Sequence, residues 1–278
     1  MTLATLSDVL QPALKNGYAV GGLVCLGWED ARAYVTAAEA EGAPVILQAG
    51  PGCRAHTPLP VLGAMFRNLA EGADVPVVAH LDHGYTLEEC RMAIDCGFTS
   101  VMFDGSRLPL NENMDLTSTI VEMAQRSGVS CEGEIGFVGY SDGEQSLGTD
   151  PQEAAQFAQQ TKVDAMAISV GNVHLQQNHD ADLDRERIAA IESATDVPLV
   201  IHGGSGVPPE IRTELARNTA ICKFNIGTQL RMAFGQALRD SLAADTDQFD
   251  RVEILKATEP PLTQAARTVI QSMAAPQI

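Results

Sequence analysis

Short apolar, β-branched runs recur along the chain, with amphipathic stretches between them. The runs lie at residues 20–26, 45–49, 77–82, 100–104, 130–135, 165–170, 198–202 and 220–226. Each is too short for a helix, and several are apolar at nearly every position, as in strands buried on both faces. The stretches at 87–96, 113–126, 151–161, 185–193 and 209–218 have helical spacing. This alternation predicts parallel strands joined by crossover helices.

About eight strand–helix units favour a closed barrel over an open doubly wound sheet. An open dinucleotide-binding sheet carries a glycine fingerprint after its first strand, and Gly21-Gly22-Leu23 lacks that pattern. No linker rich in proline, glycine or serine divides the chain. We therefore predict the α/β class, with a single (β/α)8 TIM-barrel domain over residues 1–278. Pro260-Pro261 and a last helix at 262–273 predict a C-terminal helical extension.

Composition and charge narrow the class of partner. The 278 residues are 45% hydrophobic, and 36 acidic residues against 18 basic ones give a net charge of −18. Such a chain repels nucleic acid and anionic membranes, so we expect neither as a partner. No apolar run approaches the ~20 residues of a membrane span, and no secretory signal is visible, which predicts a cytoplasmic protein. Six cysteines without a C-x-x-C pair indicate reduced, buried thiols.

Polar residues cluster at the ends of the runs, where a barrel of this kind carries its catalytic groups. Four of the six histidines lie at these ends. A single histidine there is more typical of a hydrogen-bonded core residue. Three histidines from three strands, with a fourth position open, are the pattern of a catalytic zinc site. His83, His174 and His202 are the natural trio, and His80 is a spare.

A glycine-rich loop at residues 202–206 precedes the helix that begins near Pro208. Backbone N–H groups in such a loop bind phosphate without positive side chains. Barrels often bind phosphate after their seventh and eighth strands, and Asn225 and Thr228 follow the eighth run. The alternative is a turn that simply needs glycine.

These segments resemble the class II, metal-dependent fructose-bisphosphate aldolase family, including its tagatose-bisphosphate aldolase branch. The matching segments are 77–84 (VVAHLDHG), 100–106 (SVMFDGS), 132–136 (EGEIG), 201–206 (IHGGSG) and 223–228 (KFNIGT). They follow the family's order over nearly the whole chain. The resemblance implies a (β/α)8 barrel, a lyase of carbohydrate metabolism, and a homodimer or homotetramer.

The resemblance also implies roles for particular residues. It implies that His83, His174 and His202 bind zinc or another divalent metal, and that Asp82 is the acid/base beside the carbon–carbon bond. Further implied residues are Asp104 and Glu134 at a second or alternative metal position, and Gly171, Gly203, Ser205, Asn225 and Thr228 around the phosphate of dihydroxyacetone phosphate. A monovalent cation accompanies that phosphate in the family.

The implied reaction is reversible aldol cleavage of a ketose phosphate or bisphosphate, of the fructose or tagatose bisphosphate type, to dihydroxyacetone phosphate and an aldehyde through a zinc-stabilised enediolate. In the family, a glutamate on the loop after the fifth strand handles the carbon-bound proton. Here that segment is shorter, and Asp142 and Glu144 are its two acidic residues. Glu144 has the longer reach and is the preferred base.

Two further departures from the family pattern surround the substrate. Leu175 stands where the family has glycine, and residues 22–25 read Gly-Leu-Val-Cys where the family usually has an asparagine. Three alternatives therefore stay open: a relative acting on a different sugar or sugar acid, a catalytically silent sugar-phosphate-binding relative, and a Schiff-base aldolase. The last needs a buried lysine, and Lys223 is the only lysine on a predicted strand.

Overall fold

In a computed structural model of the chain, which describes residues 2–141 and 143–275, eight parallel strands close into a barrel. The described residues form nine strands in all: β1 (Leu3–Ala4), β2 (Val20–Val24), β3 (Val45–Ala49), β4 (Val77–Gly84), β5 (Ser100–Phe103), β6 (Ser130–Ile135), β7 (Ala165–Ile168), β8 (Leu199–Ile201) and β9 (Ile221–Ile226). Strands β2 to β9 form the barrel, which pairing of β2 with β9 and of β4 with β5 completes. The predicted TIM barrel is confirmed.

Helices surround the barrel. They are α1 (Leu6–Asn16), α2 (Trp28–Glu41), α3 (Pro51–His56), α4 (Leu59–Gly72), α5 (Leu87–Asp95), α6 (Leu110–Arg126), α7 (Pro151–Thr161), α8 (Arg185–Glu192), α9 (Pro209–Asn218), α10 (Thr228–Ala244), α11 (Arg251–Lys256) and α12 (Glu259–Gln271). The five helices predicted between strands correspond to α5 to α9. The predicted last helix begins earlier, because Pro260 and Pro261 lie in its first turn, where a missing N–H is not needed.

The predicted C-terminal helical extension is α12, which packs against α2 and α10. Arg267 Nε donates to Glu41 Oε1 at 2.7 Å, and the backbone N–H of Ala19 donates to the carbonyl of Met273 at 2.9 Å. These contacts fix the C-terminal end of the chain against α2 and against the residue that precedes β2.

The N-terminal end of the barrel is closed by α1. Its first turn is held by a capping box between Thr5 and Asp8. Its buried face joins an apolar cluster inside the barrel, which we call the lower interior: Leu6, Val9, Leu10, Val20, Ile46, Val78, Ala165, Ala167, Val200 and their neighbours. The open end of the barrel is therefore the C-terminal one.

Two smaller predictions concern the cysteines and the membrane. All six cysteines are free, and five of them are buried. Within the described ranges, every helix is too short or too polar to cross a bilayer.

Candidate active site

A cavity of about 500 Å³ opens at the C-terminal ends of the strands. Seven of the predicted site residues line it: Asp82, His83, His174, Gly203, Ser205, Asn225 and Thr228. His202 and Glu134 lie beneath it, fully or almost fully buried. The barrel thus brings together side chains that are spread over nearly 150 residues of sequence, because parallel strands end at the same rim.

The three predicted histidines converge. One ring nitrogen from each of His83, His174 and His202 lies within 4.8 Å of the others. Their ring centroids are 5.3 Å apart for His83 and His174, 4.7 Å for His83 and His202, and 5.7 Å for His174 and His202. A second group joins His83 to Asp104 and Glu134 over the same range. Two overlapping sets of potential metal ligands therefore share His83.

The charge states of these groups differ sharply. Burial lowers the pKa of His174 to about 4, and burial together with His83 holds the pKa of His202 well below its usual value. Burial also acts to lower the pKa of His83, but carboxylates including Asp82 and Asp104 outweigh it and raise the pKa to about 9. Burial therefore favours the neutral imidazole form of His174 and His202, which is the form that binds a metal.

Two buried atoms in this cluster lack a hydrogen-bond partner among the described residues. They are His202 Nδ1 and Glu134 Oε2, which lie 3.6 Å apart. Burial and the nearby Asp104 raise the pKa of Glu134 well above its usual value. A divalent cation would satisfy both orphaned atoms and favour the charged carboxylate. The donor set of imidazole nitrogens and carboxylate oxygens fits zinc.

His83 reaches the cluster through an unusual backbone. Its φ is 53°, in the left-handed region that most residues avoid. Arg54, whose side chain is 6% exposed, donates to the carbonyls of Asp82 and His83, each at 2.7 Å. Glu89 holds Arg54 in turn, with Oε1 at 2.6 Å from Nε. Arg54 therefore fixes the turn that presents His83, a role for which the sequence carries no local signal.

Asp82 is one of the few carboxylates that face the cavity. It is 5% exposed, and its Oδ1 accepts from Asn225 Nδ2 at 3.2 Å. A Cβ on Gly50 would lie 3.3 Å from Oδ2, so glycine leaves that oxygen uncovered. One carboxylate oxygen is oriented while the other is free to exchange a proton.

The predicted phosphate loop lies at the cavity next to the N-terminus of α10, where Gly203, Ser205 and Thr228 line the wall. Gly203 has φ of 65°, and a Cβ there would strike the carbonyl of Val173 at 2.1 Å, so only glycine fits. Ser205 Oγ accepts from the N–H groups of Gly227 and Gln229, both at 3.3 Å. The N-terminus of α10 therefore faces the cavity beside Gly203 and Ser205, with its dipole favouring a negative charge.

Arg231 also lines this part of the cavity. Its Nη2 lies 3.4 Å from the place where a Cβ on Gly227 would stand, and no ion pair to it occurs within residues 2–141 and 143–275. Arg231 is not among the site residues that the sequence pattern predicted. The available signal was its helical spacing of three from Thr228, which sets both side chains on one face. Gly171, by contrast, is absent from the lining, and a Cβ there would strike the carbonyl of Asp182.

Of the two candidate loop bases, Glu144 does not line the cavity. Glu144 pairs with Arg107 at 2.7 Å, and both side chains are more than half exposed. Asp142 lies outside the described residues. The loop itself is attached to the site, because the N–H of His174 donates to the carbonyl of Gly139 at 2.8 Å and the Tyr140 ring lies 5.1 Å from the His174 ring.

Leu175 occupies the position at which the family pattern has glycine. Its φ is 60°, so the backbone keeps a left-handed conformation at a cost of roughly 1–3 kcal/mol. Its side chain is 48% exposed and lines the cavity. The glycine-like backbone is retained, and an apolar wall is added.

Lys223 is fully buried, with Nζ 2.6 Å from Glu132 Oε2 and 3.3 Å from His80 Nε2. It does not line the cavity. A Schiff-base lysine must reach the substrate carbonyl, so this location counts against the Schiff-base alternative. His80 belongs to the same buried group, since its Nδ1 lies 2.8 Å from Ser100 Oγ.

Comparison with known proteins places this geometry in a family. Residues 4–276 match the model of fructose-bisphosphate aldolase class II. The chain is 37% identical to the fructose-bisphosphate aldolase of Geobacillus stearothermophilus, over 92% of this chain and 91% of that protein. It is 38% identical to the 6-phospho-5-dehydro-2-deoxy-D-gluconate aldolase of Shouchella clausii, over 90% of this chain and 87% of that protein. Among solved structures, the YdjI aldolase of Escherichia coli K12 superposes with a TM-score of 0.84 at 29% identity, over 98% of this chain and 97% of that one.

Proposed function

The chain belongs to the class II fructose-bisphosphate aldolase family, whose members are carbon–carbon lyases, and from that premise we propose that it cleaves a ketose phosphate or bisphosphate to dihydroxyacetone phosphate and an aldehyde with the help of bound zinc. The observation that carries the proposal is the convergence of three histidine nitrogens within 4.8 Å beneath a cavity whose wall includes Asp82.

In this proposal His83, His174 and His202 hold the zinc, and Asp104 and Glu134 offer a second or alternative position. Support comes from the orphaned Glu134 Oε2 and His202 Nδ1. When bound, zinc would act as a Lewis acid that polarises the substrate carbonyl. The same donor set accepts other divalent metals, and zinc is the first choice for an imidazole-rich site.

Asp82 acts as the general base in the cleavage direction. It takes the proton from the hydroxyl that becomes the aldehyde, while the electron pair of the broken carbon–carbon bond moves to the carbon beside the ketone. Asn225 keeps Asp82 oriented through the 3.2 Å hydrogen bond. A second group then protonates that carbon, and Glu144 or Asp142 supplies it after the loop closes over the substrate.

The phosphate of the ketone fragment binds between Gly203, Ser205, Thr228 and the start of α10. Arg231 adds the positive charge that the backbone cradle lacks, and it suits phosphate or carboxylate equally. A monovalent cation beside the phosphate stays part of the proposal. The role of Gly171 there is indirect, because its backbone turn rather than its cavity exposure would shape the site.

Two classes of ketose are candidate substrates. The relatives' names include both a fructose bisphosphate and a deoxygluconate phosphate as substrates. We favour a sugar phosphate, with a sugar acid phosphate as the alternative, since Leu175 and Val24 make parts of the cavity wall apolar. We further propose one domain over residues 1–278, a cytoplasmic location, and a homodimer or homotetramer.

An aldol-cleavage screen tests the proposal. The protein is stripped of metal with a chelator and assayed against phosphorylated and unphosphorylated ketoses, with and without added Zn²⁺. We expect zinc-dependent release of dihydroxyacetone phosphate from at least one ketose phosphate. Turnover that persists without metal, with substrate trapped by borohydride, would indicate Schiff-base chemistry. Tight binding of zinc and sugar phosphate without turnover would identify a silent relative.

A further inference from the structure

A buried ion pair, Lys223 with Glu132, lies next to His202 of the histidine cluster and has no role in the proposed reaction. Lys223 Nζ contacts Glu132 Oε2 at 2.6 Å, and Glu132 Oε1 lies 3.0 Å from His202 Nε2. All three side chains have 0% exposure. Burying a charged pair costs desolvation free energy, so apolar residues of similar size would stabilise the fold as well or better.

The geometry assigns the two ring nitrogens of His202 different partners. A neutral imidazole carries one N–H, and the ring must place it on Nδ1 or on Nε2. Nε2 has a carboxylate oxygen at hydrogen-bond distance, whereas Nδ1 has Glu134 Oε2 only at 3.6 Å, beyond a normal hydrogen bond. The proton therefore belongs on Nε2, which leaves the lone pair on Nδ1, the nitrogen that has no hydrogen-bond partner among the described residues and lies 3.6 Å from Glu134 Oε2.

We propose that Glu132, charge-balanced by Lys223, is a positioning residue that fixes His202 in its Nε2–H tautomer and so prepares Nδ1 to bind the metal. The inference rests on the proposed metal centre. Lys223 is needed because a carboxylate with no counter-charge would not remain in this interior. Carboxylates behind a metal-bound histidine orient the ring and raise its basicity, and their loss usually weakens metal binding about 10–100-fold.

A matched pair of double variants isolates the acceptor. Glu132→Leu with Lys223→Met removes both charges and the acceptor for His202. Glu132→Gln with Lys223→Met also removes both charges but keeps an amide oxygen within reach of Nε2. Both are uncharged and close to the parent in volume, so any difference between them reports on the hydrogen bond to His202.

The readout is the Zn²⁺ dissociation constant from competition with a chelator, without any assay of turnover. We expect the Leu/Met variant to bind Zn²⁺ about 10–100-fold more weakly than the parent and the Gln/Met variant to stay within about threefold of it. Equal affinities for the two variants would overturn the assignment, because charge balance or packing alone would then explain the buried pair.

A second measurement does not depend on whether a Glu132 variant folds. Long-range ¹H–¹⁵N spectra of the metal-free parent, labelled in histidine, distinguish the two tautomers, and a His202→Gln spectrum identifies the signal. We expect the Nε2–H form. An Nδ1–H form would refute the inference. This result is separate from the proposed function, since a parent that binds no Zn²⁺ would refute the metal centre whatever the tautomer.

Discussion

The lower and upper halves of the barrel interior use the same strands but opposite kinds of residue. On β4, Val78 lies in the lower interior and Asp82 lies four residues further on at the cavity. Val200 on β8 belongs to the lower interior, and His202 lies two residues further on, just after the end of that strand. Because side chains on one face of a strand recur every two residues, each strand carries both environments along one face.

The two halves of the interior differ in purpose: the lower half stabilises the fold, and the upper half holds the candidate catalytic groups. The lower interior is apolar and sealed by α1, and burying such side chains supplies folding free energy. The upper interior is the polar region formed by His80, His83, His202, Glu132, Glu134 and Lys223, all with little or no exposure. Burying such groups costs free energy unless every charge has a partner. We therefore expect substitutions in the lower interior to change stability, and substitutions in the upper interior to change metal binding and catalysis.

The largest expected effect is loss of the metal. His83→Ala, His174→Ala and His202→Ala should each abolish zinc binding and activity together, because each variant removes one of the three imidazole nitrogens proposed to hold the metal. Metal analysis and the cleavage assay measure the two losses. His56→Ala, at an exposed position on α3, serves as the control and should leave both unchanged. Zinc retained at full stoichiometry in one of the three variants would remove that histidine from the ligand set.

Asp82→Ala should separate chemistry from metal binding within the upper interior. We expect kcat to fall by about 10²–10⁴, the usual range for a general acid or base, while zinc content stays at the parent level. Steady-state kinetics and metal analysis on the same sample check this. If zinc is lost along with activity, Asp82 is a ligand or a support for His83.

Ile46→Ala should show the opposite behaviour in the lower interior. Ile46 is fully buried, and its truncation should lower the free energy of unfolding by about 2–5 kcal/mol. Denaturant unfolding measures the loss, and kcat per folded molecule should match the parent. Val61→Ala, at a side chain that is 55% exposed, should change stability by less than about 0.5 kcal/mol. A large fall in kcat for Ile46→Ala would mean that the two halves are coupled.

The smallest effect is expected in the loop between residues 139 and 148. One of Asp142→Asn and Glu144→Gln should slow hydrogen exchange at the reactive carbon of dihydroxyacetone phosphate about tenfold or more, with normal zinc content. Arg107→Ala frees Glu144 from its ion pair and should not slow the exchange. Exchange at the parent rate in the double loop variant would exclude the loop as the source of the base.

Much of this molecule was readable from its sequence. Strand and helix periodicity predicted the barrel, and the rule that catalytic groups follow the strands, together with the family resemblance, predicted seven of the residues that line the cavity. These inferences succeeded because they depend on local pattern and on residue chemistry. The convergence of His83, His174 and His202 was predicted in the same way, from three histidines at the ends of three strands, and their role as metal ligands stays a prediction.

Only the tertiary structure decided the rest. Strand alternation alone would turn His83 away from the face that carries Asp82, and the left-handed turn held by Arg54 brings it back. The pairing of Lys223 with Glu132 and of Glu144 with Arg107 likewise joins residues far apart in sequence. Such contacts depend on barrel closure and on side-chain direction, neither of which a local pattern contains, because the partners become neighbours only when the chain has folded.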